Sequence, residues 1–272
     1  MKVLIGYDGS ESAVAALEEL KRAGLPDKTK VLVVTVSELL MPSLDITALP
    51  SAAKSSRRVT TTLAQLQNQA AQTLNRAKKV SDKAAAKIKS NFPDWDVETE
   101  IMSGEPASAL LEKSQDWAAD LIIVGSQNRS AIGRFLIGSI SRAVVTDANC
   151  SVRVARPAEI PVSEDAPQRT VAGIDDSDRC GAIVEAIAAR NWSKESVAML
   201  VTAISAIERN GVQPIKQLID AQEIQQSAKE KLLGTGLKVL TRIKEGDPKS
   251  VLLAERFRQN GSQQVKRRNQ RD

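Results

Sequence analysis

The chain contains no histidine among its 272 residues. That absence excludes a Ser-His-Asp triad, a Cys-His nucleophile pair and any His-ligated zinc or haem. Cysteine is nearly absent as well, because only Cys150 and Cys180 are present, too few for a Cys-rich metal site. A disulfide between them is an open alternative, but isolated cysteines in a chain without a visible export signal are more often reduced thiols. We therefore expect no metal centre built from His or Cys.

Aromatic residues make up only 3% of the chain, and no apolar run approaches the length of a membrane span. The core must therefore be built from Val, Ile, Leu and Ala, a composition typical of α/β sheets covered by helices. Residues 1–10 run straight into a strand pattern without a basic region followed by a long apolar stretch. We expect a cytoplasmic protein without a membrane-embedded part.

The formal net charge is +5, and part of the excess lies in the basic tail at the C-terminus of the sequence. Such a tail can contact nucleic acid or anionic lipid, but a short charge run without interleaved aromatic residues is more often simply solvated. We therefore do not expect a nucleic-acid partner. The length allows one large domain or two small ones.

Short apolar segments alternate with helical patterns along the first half of the chain. The predicted strands are 2–7, 31–36, 96–102, 121–125 and 151–155, and the predicted helices are 12–23, 57–91, 107–119 and 138–147. Two buried strands joined by a helix favour a parallel, right-handed unit over a hairpin. The sequence therefore predicts an α/β fold with a doubly wound, parallel, five-stranded sheet of Rossmann-like type.

The second half repeats the first after a proline-rich segment. TVAGID repeats VLIGYD, and GDPKSVLL repeats GEPASALL position by position, which indicates an internal duplication. The repeat stops short, because the position that corresponds to Gly125 is occupied by Arg267. We therefore predict a complete domain at 1–157, a linker at 158–168, an incomplete second copy at 169–260 and a basic tail at 261–272. One ligand site per chain is the expected maximum.

The segment 121–139, LIIVGSQNRSAIGRFLIGS, predicts a strand, a loop of small and polar residues, and the start of a helix. A helix N-terminus that follows such a loop is suited to bind an anion, because its N–H groups are free and its dipole is favourable. Gly125 and Gly138 would let a phosphate approach the backbone, although packing of a helix on a strand would also require glycine. Asp8 is similarly ambiguous, since Asp-Gly-Ser also forms an ordinary turn and cap.

Three motifs together resemble the universal stress protein family: YDGSES at the start, GEP before a helix, and VGSQNRSAIGRFLIGS. Nucleotide-binding members carry Gly, two residues, Gly, nine residues, Gly and Ser or Thr. This chain has Gly125, then Asn128 in place of the second glycine, then Gly138 and Ser139 at the matching spacing. The resemblance covers 1–157 fully and 169–257 in part. It implies the Rossmann-like fold of the adenine-nucleotide alpha-hydrolase type.

The resemblance also implies roles for individual residues. Asp8 would contact the adenosine portion and the backbone of Thr35 the adenine, while the phosphate contacts would come from Gly125, Asn128, Arg129, Gly138, Ser139 and Ile140. Thr35 could equally be an ordinary strand residue, Arg129 a solvated surface charge, and Ser139 both a helix cap and a phosphate donor. Asparagine tolerates the left-handed backbone that a glycine adopts, but its side chain would extend toward the phosphates.

Two functions follow from the resemblance. The first is a non-catalytic stress-response protein that binds ATP, alone or with Mg²⁺, with hydrolysis slow or absent because no general base is evident. The second is a family member that binds no nucleotide and acts as a dimerisation or interaction module. An exposed edge strand invites pairing, so we expect a homodimer formed through residues 151–155. An α/β enzyme has little support.

Overall fold

A computed structural model of the chain describes residues 1–37, 57–126, 137–157, 163, 165–177, 179–204 and 214–255. The chain forms two compact units. Unit 1 comprises Met1–Lys21 with Pro26–Pro161, and unit 2 comprises Arg22–Leu25 with Val162–Asp272. None of the helices in the described ranges combines the length and the apolar character needed to cross a membrane.

Strands and helices alternate along unit 1. In chain order they are β1 (Lys2–Gly6), α1 (Glu11–Glu19), a short 3-10 helix (Leu20–Arg22), β2 (Lys30–Ser37), α2 (Arg57–Asn91), β3 (Asp96–Ser103), α3 (Pro106–Asp116), β4 (Leu121–Gly125), α4 (Ser139–Asp147) and β5 (Ser151–Ala155). The strands form one parallel sheet in the order β3-β2-β1-β4-β5. The predicted doubly wound sheet is therefore confirmed, with β3 and β5 at its two edges.

The winding of the chain reverses between β1 and β4. The strands β1, β2 and β3 follow one another toward one edge, and β4 and β5 follow one another toward the other. Because parallel crossovers are right-handed, α1 and α2 lie on one face of the sheet, and α3 and α4 lie on the opposite face. Helix α2 packs on β2 and β3, while α4 packs against α3 and β5.

The core of unit 1 is aliphatic, as the scarcity of aromatic residues predicts. On the face covered by α3 and α4, Leu4, Val34 and Ile122 from the strands pack against Leu110 and Val144 from the helices. These side chains are almost completely buried. Each buried aliphatic side chain contributes about 1.5–3 kcal/mol through removal of its apolar surface from water.

Helix α3 ends earlier than its sequence predicts. The predicted segment runs to residue 119, whereas the helix ends at Asp116. Ala118 adopts a positive φ of 52°, and the Ala119 N–H donates to the carbonyl of Ser114 at 2.8 Å. This is a left-handed C-terminal cap, a conformation normally given to glycine. An alanine in that position carries no sequence signal for a helix end.

Unit 2 contains β6 (Arg169–Gly173), α5 (Arg179–Ala188), β7 (Val197–Ile204), α6 (Pro214–Lys231), β8 (Lys238–Glu245) and helical residues 248–255. Its described strands form a parallel sheet in the order β6-β7-β8. The arrangement repeats β1, β2 and β3 closely. The Ile174 N–H donates to the Val201 carbonyl at 3.0 Å, as the Tyr7 N–H donates to the Val34 carbonyl at 2.9 Å.

The predicted boundaries of the linker, the second copy and the basic tail remain predictions. All of 158–162 and all of 256–272 lie outside the described residues. The two cysteines are free and half-buried. Partial burial raises the pKa of the Cys150 thiol, which therefore stays protonated near neutral pH.

Candidate functional site: a cavity at the carboxyl edge of the unit 1 sheet

A cavity of about 600 Å³ opens at the carboxyl edge of the unit 1 sheet. The ends of β1, β2 and β4 form its floor, and the starts of α1, α3 and α4 and one face of α2 form its walls. It lies at the switch point between β1 and β4, where open α/β sheets bind their ligands. Its volume is within the range of about 300–1,000 Å³ that is usual for small-molecule sites.

Most of the predicted site residues that the structure describes line this cavity. Asp8, Thr35, Gly125, Gly138 and Ile140 come from four separate segments of the chain and meet there. Ser139 is exposed and lines a neighbouring shallow depression instead. The predicted positions 128 and 129 lie outside the described residues.

Asp8 shapes the turn that follows β1. Its carboxylate oxygen Oδ1 accepts a hydrogen bond from the Ser10 N–H at 2.9 Å. Gly9 between them has a φ of 78°, the left-handed conformation that glycine tolerates best. Ser10, rather than Asp8, caps α1, since its hydroxyl oxygen accepts from the Ala13 N–H at 3.2 Å. Asp8 therefore stabilises the turn after β1, and the same residue also lines the cavity.

Thr35 occupies the carboxyl end of β2 and is buried. Its hydroxyl donates to the Tyr7 carbonyl at 2.8 Å and so joins β2 to the chain that leaves β1. Tyr7 is also buried at the cavity. Burial raises the pKa of the Tyr7 phenol, so that the group is neutral at physiological pH.

Gly125 ends β4 at a point of close backbone approach. A Cβ at this position would lie 2.5 Å from the carbonyl carbon and 2.6 Å from the oxygen of Ser12. The packing of α1 on the end of β4 therefore requires a glycine, whatever the cavity binds. The same packing brings the N-terminal turn of α1 to the cavity.

Three helices begin at the cavity, and only two of them are capped by a side chain. Ser10 caps α1, and Glu105 caps α3 by accepting from the Ala107 N–H at 3.1 Å and the Ser108 N–H at 2.7 Å. Those hydrogen bonds lower the pKa of the Glu105 carboxyl. At α4 the N-cap is Gly138, which supplies no side-chain hydrogen bond. The start of α4 is thus the point where N–H groups and the helix dipole favour an anion.

The expectation that Ser139 caps α4 is wrong. Gly138 holds the N-cap position with extended backbone, and Ser139 is the first helical residue. A side chain caps a helix from the N-cap position, because only there does it point back at the first N–H groups. The Ser139 hydroxyl instead lies on the exposed side of the first turn.

Ser141 was not among the predicted site residues. It is buried, lines the cavity and donates its hydroxyl to the Gly125 carbonyl at 2.8 Å. This bond ties the first turn of α4 to the end of β4. A serine two residues beyond the Gly-Ser pair could have been singled out, but serine in a first helical turn is too common to be a specific signal.

One face of α2 forms a wall of the cavity that no sequence motif indicates. Thr73, Arg76, Ala77 and Val80 line the cavity, and their spacing is that of one side of a helix. The spacing can be read from the sequence. The 35 residues of α2 contain several other sets of residues with the same helical spacing, so the sequence does not single out this face. Arg76 and Asp8 are the only charged residues among the described residues that line the cavity.

The fold and the site together define a doubly wound α/β protein whose cavity lies at the switch point of its sheet. A model of the universal stress protein family matches residues 1–156. This chain belongs to the universal stress protein family.

Two curated relatives illustrate the similarity. The universal stress protein MJ0531 of Methanocaldococcus jannaschii is 32% identical over 81 residues, which are 29% of this chain and 48% of that protein. A Staphylococcus aureus protein of the same family description is 37% identical over 89 residues, which are 32% of this chain and 49% of that protein. The chain spans about half the length of the curated relatives it matches.

The crystal structure of a universal stress protein from Archaeoglobus fulgidus has the same fold. It aligns with 95% of this chain and 84% of its own, with a TM-score of 0.59 at 18% identity.

Proposed function

We propose that unit 1 binds an adenine nucleotide, ATP, in this cavity and that the bound state serves a regulatory role in a stress response. The observation that carries the proposal is the uncapped N-terminus of α4, which opens into a cavity that also contains Asp8 and Thr35. A ligand with an anionic end and a nucleoside end fits this arrangement. Family membership supports the same assignment.

The start of α4 is the proposed phosphate end of the site. Backbone N–H groups near Gly138 and Ile140 would donate to phosphate oxygens, and the helix dipole would favour their charge. In the sequence, the predicted phosphate contacts Asn128 and Arg129 precede α4. Asp8 and Thr35, beside the ends of β1 and β2, would hold the nucleoside. Mg²⁺ would accompany the triphosphate.

The role is proposed to be binding rather than catalysis. The chain has no histidine, and Asp8 is the only carboxylate among the described residues that line the cavity. Its oxygen Oδ1 is already engaged by the Ser10 N–H. Hydrolysis of ATP is therefore expected to be slow or absent.

Calorimetric titration of the full chain with ATP tests the proposal. We expect saturable binding at one nucleotide per chain, with weaker binding of adenosine because the phosphates add charge-assisted hydrogen bonds. A folded protein that gives no binding heat at millimolar ATP would overturn the proposal.

A second candidate function is an interaction module that binds no nucleotide. The observation that favours it is β5, which is half-buried at the sheet edge and pairs only with β4 among the described strands. Asn128→Gly separates the two functions. A gain in ATP affinity in this variant would indicate a weakened nucleotide site, whereas unchanged behaviour would favour the interaction role.

A further inference from the structure

Arg76 lies in the wall of the cavity. It is exposed, and within the described part of the chain it forms no ion pair. Its neighbours on the same helical face, Thr73, Ala77 and Val80, also line the cavity. A cation on such a wall either serves solubility alone or contacts what the cavity binds.

The wall that carries Arg76 is held firmly in place. Ala77, Ala84 and Ile88 of α2 are buried, and Lys87 forms an ion pair with Glu18 of α1. A Cβ added at Gly9 would lie 3.3 Å from a methyl carbon of Val80, so the turn after Asp8 and the wall are in close proximity. Arg76 therefore extends from a fixed helix beside the Asp8 turn.

Helix α2, which carries Arg76, and helix α4, where the phosphates are proposed to bind, lie on opposite faces of the sheet. Helix α2 packs on β2 and β3, on the face of the sheet that α1 also covers. Helix α4 lies on the opposite face, and its first turn is bonded to the end of β4 through Ser141. A nucleotide whose phosphates lie at the start of α4 would direct its base toward β2 and α2.

Few flat side chains among the described residues line the nucleoside end of the cavity. Tyr7 is the only aromatic residue among the described residues that line the cavity. A guanidinium group is planar, weakly hydrated and stacks readily on aromatic faces. Among the described cavity residues, Arg76 alone supplies such a plane.

We propose that Arg76 is a nucleotide-binding residue whose guanidinium lies flat against the base of the bound nucleotide. This inference rests on the proposed function and adds a contact for the base to a site otherwise defined by its anion end. Helix α2 would then form the wall of the cavity at its nucleoside end.

Three variants of the full chain test this assignment: Arg76→Ala, Arg76→Lys and the control Lys79→Ala. Lys79 is an exposed cation of the same helix that does not line the cavity. Calorimetric titrations with adenosine and with ATP are compared. We expect both Arg76 variants to lose roughly tenfold in affinity for both ligands, because alanine and lysine both lack the stacking plane. Lys79→Ala should match the wild type.

The outcomes separate the alternatives. Loss confined to ATP, with partial retention by Arg76→Lys, would show that Arg76 contacts phosphate and would overturn the assignment to the base. Binding by Arg76→Ala equal to that of Lys79→Ala would overturn it as well, while leaving ATP binding intact. A wild-type chain that binds neither ligand would overturn the proposed function together with this assignment. Far-ultraviolet circular dichroism checks the fold, which alanine on an exposed helix face should preserve.

Discussion

Gly125 and Gly138 contribute to the same cavity for different physical reasons. Gly125 is needed because the backbone of Ser12 lies where a Cβ would be. Gly138 has a φ of −59° and a ψ of 160°, a conformation that any residue adopts. The backbone conformation at position 138 therefore does not require glycine. Because glycine has no side chain, the start of α4 is left without a side-chain cap.

Gly138→Asp should separate the stability of the protein from its nucleotide binding. Aspartate is a favourable N-cap, so we expect the free energy of unfolding to stay the same or rise by about 0.5 kcal/mol. The same carboxylate would compete with phosphate and repel it, and ATP affinity should fall by about tenfold or more. Urea unfolding and calorimetric titration give the two quantities.

Gly138→Asn is the matched control, because it adds a neutral cap of nearly the same shape. It should retain more ATP affinity than Gly138→Asp. Equal ATP affinity in wild type and Gly138→Asp would mean that the start of α4 does not bind the phosphates.

Gly125→Ala should destabilise unit 1. Its Cβ would lie 2.7 Å or less from three backbone atoms of Ser12 and Ala13, and backbone atoms cannot rotate away as a side chain can. We expect a loss of about 1–3 kcal/mol in the free energy of unfolding, measured with urea. The control Gly181→Ala lies in α5, where a Cβ would meet nothing within 4 Å. That variant should be neutral or more stable, since alanine favours a helix; equal effects at both sites would refute the packing argument.

At the scale of whole elements, the three helices that begin at the cavity are anchored in three ways: by Ser10, by Glu105, and by the bond from Ser141 to the Gly125 carbonyl. The first two anchors occupy N–H groups of their helices. The third leaves the N–H groups of α4 untouched. Anchoring and anion binding can therefore coexist only at α4.

Glu105→Ala should weaken α3 in a pH-dependent manner. Hydrogen bonds from Ser108 and Ala107 lower the pKa of Glu105. The ionised cap therefore stabilises the folded protein fully above the ordinary carboxyl pKa, and this stabilisation is lost as pH falls through the lowered pKa. At pH 7 we expect a loss of about 1 kcal/mol, typical of removing an N-cap. The difference from wild type should shrink toward pH 3.

The control for this prediction is Glu112→Ala, which removes an exposed carboxylate from the same helix outside the cap. Its effect on urea unfolding should be small at both pH values. A Glu105→Ala deficit that is unchanged at low pH would show that the ionised cap is not its source.

Ser141→Ala should loosen the start of α4. The variant leaves the Gly125 carbonyl without its hydroxyl donor, and we expect a loss of about 1–2 kcal/mol in the free energy of unfolding. If α4 holds the phosphates, ATP affinity should fall as well. Thr146→Ala removes an exposed hydroxyl that bonds the Arg142 carbonyl within the same helix, and it should change neither quantity appreciably. A normal ATP affinity in Ser141→Ala would mean that this anchor is not needed for binding.

Helix α6 of unit 2 repeats the buried spacing of α2 but carries different chemistry. Ala77, Ser81 and Ala84 are buried in α2, as Ala221, Gln225 and Ala228 are in α6. Gln225 donates to the hydroxyl of Thr202 at 3.1 Å and to the Arg242 carbonyl at 2.8 Å. Thr202 occupies the position in β7 that Thr35 occupies in β2. In unit 2, therefore, the side chain of Gln225 from the helix donates to the hydroxyl of the matching threonine. By the same spacing, Asp220 of α6 corresponds in position to Arg76 of α2.

At the scale of the whole molecule, β5 is the element through which we expect two chains to join. The Ala155 carbonyl accepts from the Ser126 N–H at 2.7 Å, on the side where β4 runs. Alternate residues of a strand direct their N–H and carbonyl groups to opposite sides. Val154 therefore directs its groups away from β4, to the side where β5 pairs with none of the described strands. An unpaired strand edge of this kind favours association.

Val154→Pro should therefore abolish a homodimer formed through β5. Proline removes the outward N–H while the bonds from β5 to β4 are kept. Light scattering over a concentration series should show dimers for the wild type and for the control Val154→Ala, and monomers for the proline variant. A wild type that stays monomeric at high concentration would contradict the prediction.

Much of unit 1 could be predicted because its signals are local. The strands Leu121–Gly125 and Ser151–Ala155 and the helix Arg57–Asn91 have the predicted bounds, since apolar runs and helical periodicity mark them directly. The early end of α3 could not be predicted, because an alanine takes the left-handed cap. The family resemblance predicts Asp8, Thr35, Gly125, Gly138 and Ile140, all of which line the cavity, whereas Ser141 and the α2 wall belong to no family motif.

The amino-acid sequence by itself determined the parallel α/β architecture, the aliphatic core and the family, because these depend on composition, periodicity and short motifs. Only the tertiary structure decided which residues share the cavity. The rotation of α2 about its axis, set by the burial of Ala77, Ala84 and Ile88, directs Arg76 to the cavity. The crossover that places α4 on the other face of the sheet brings its uncapped end to the same space. Both result from the packing of segments far apart in the chain, which no local pattern records.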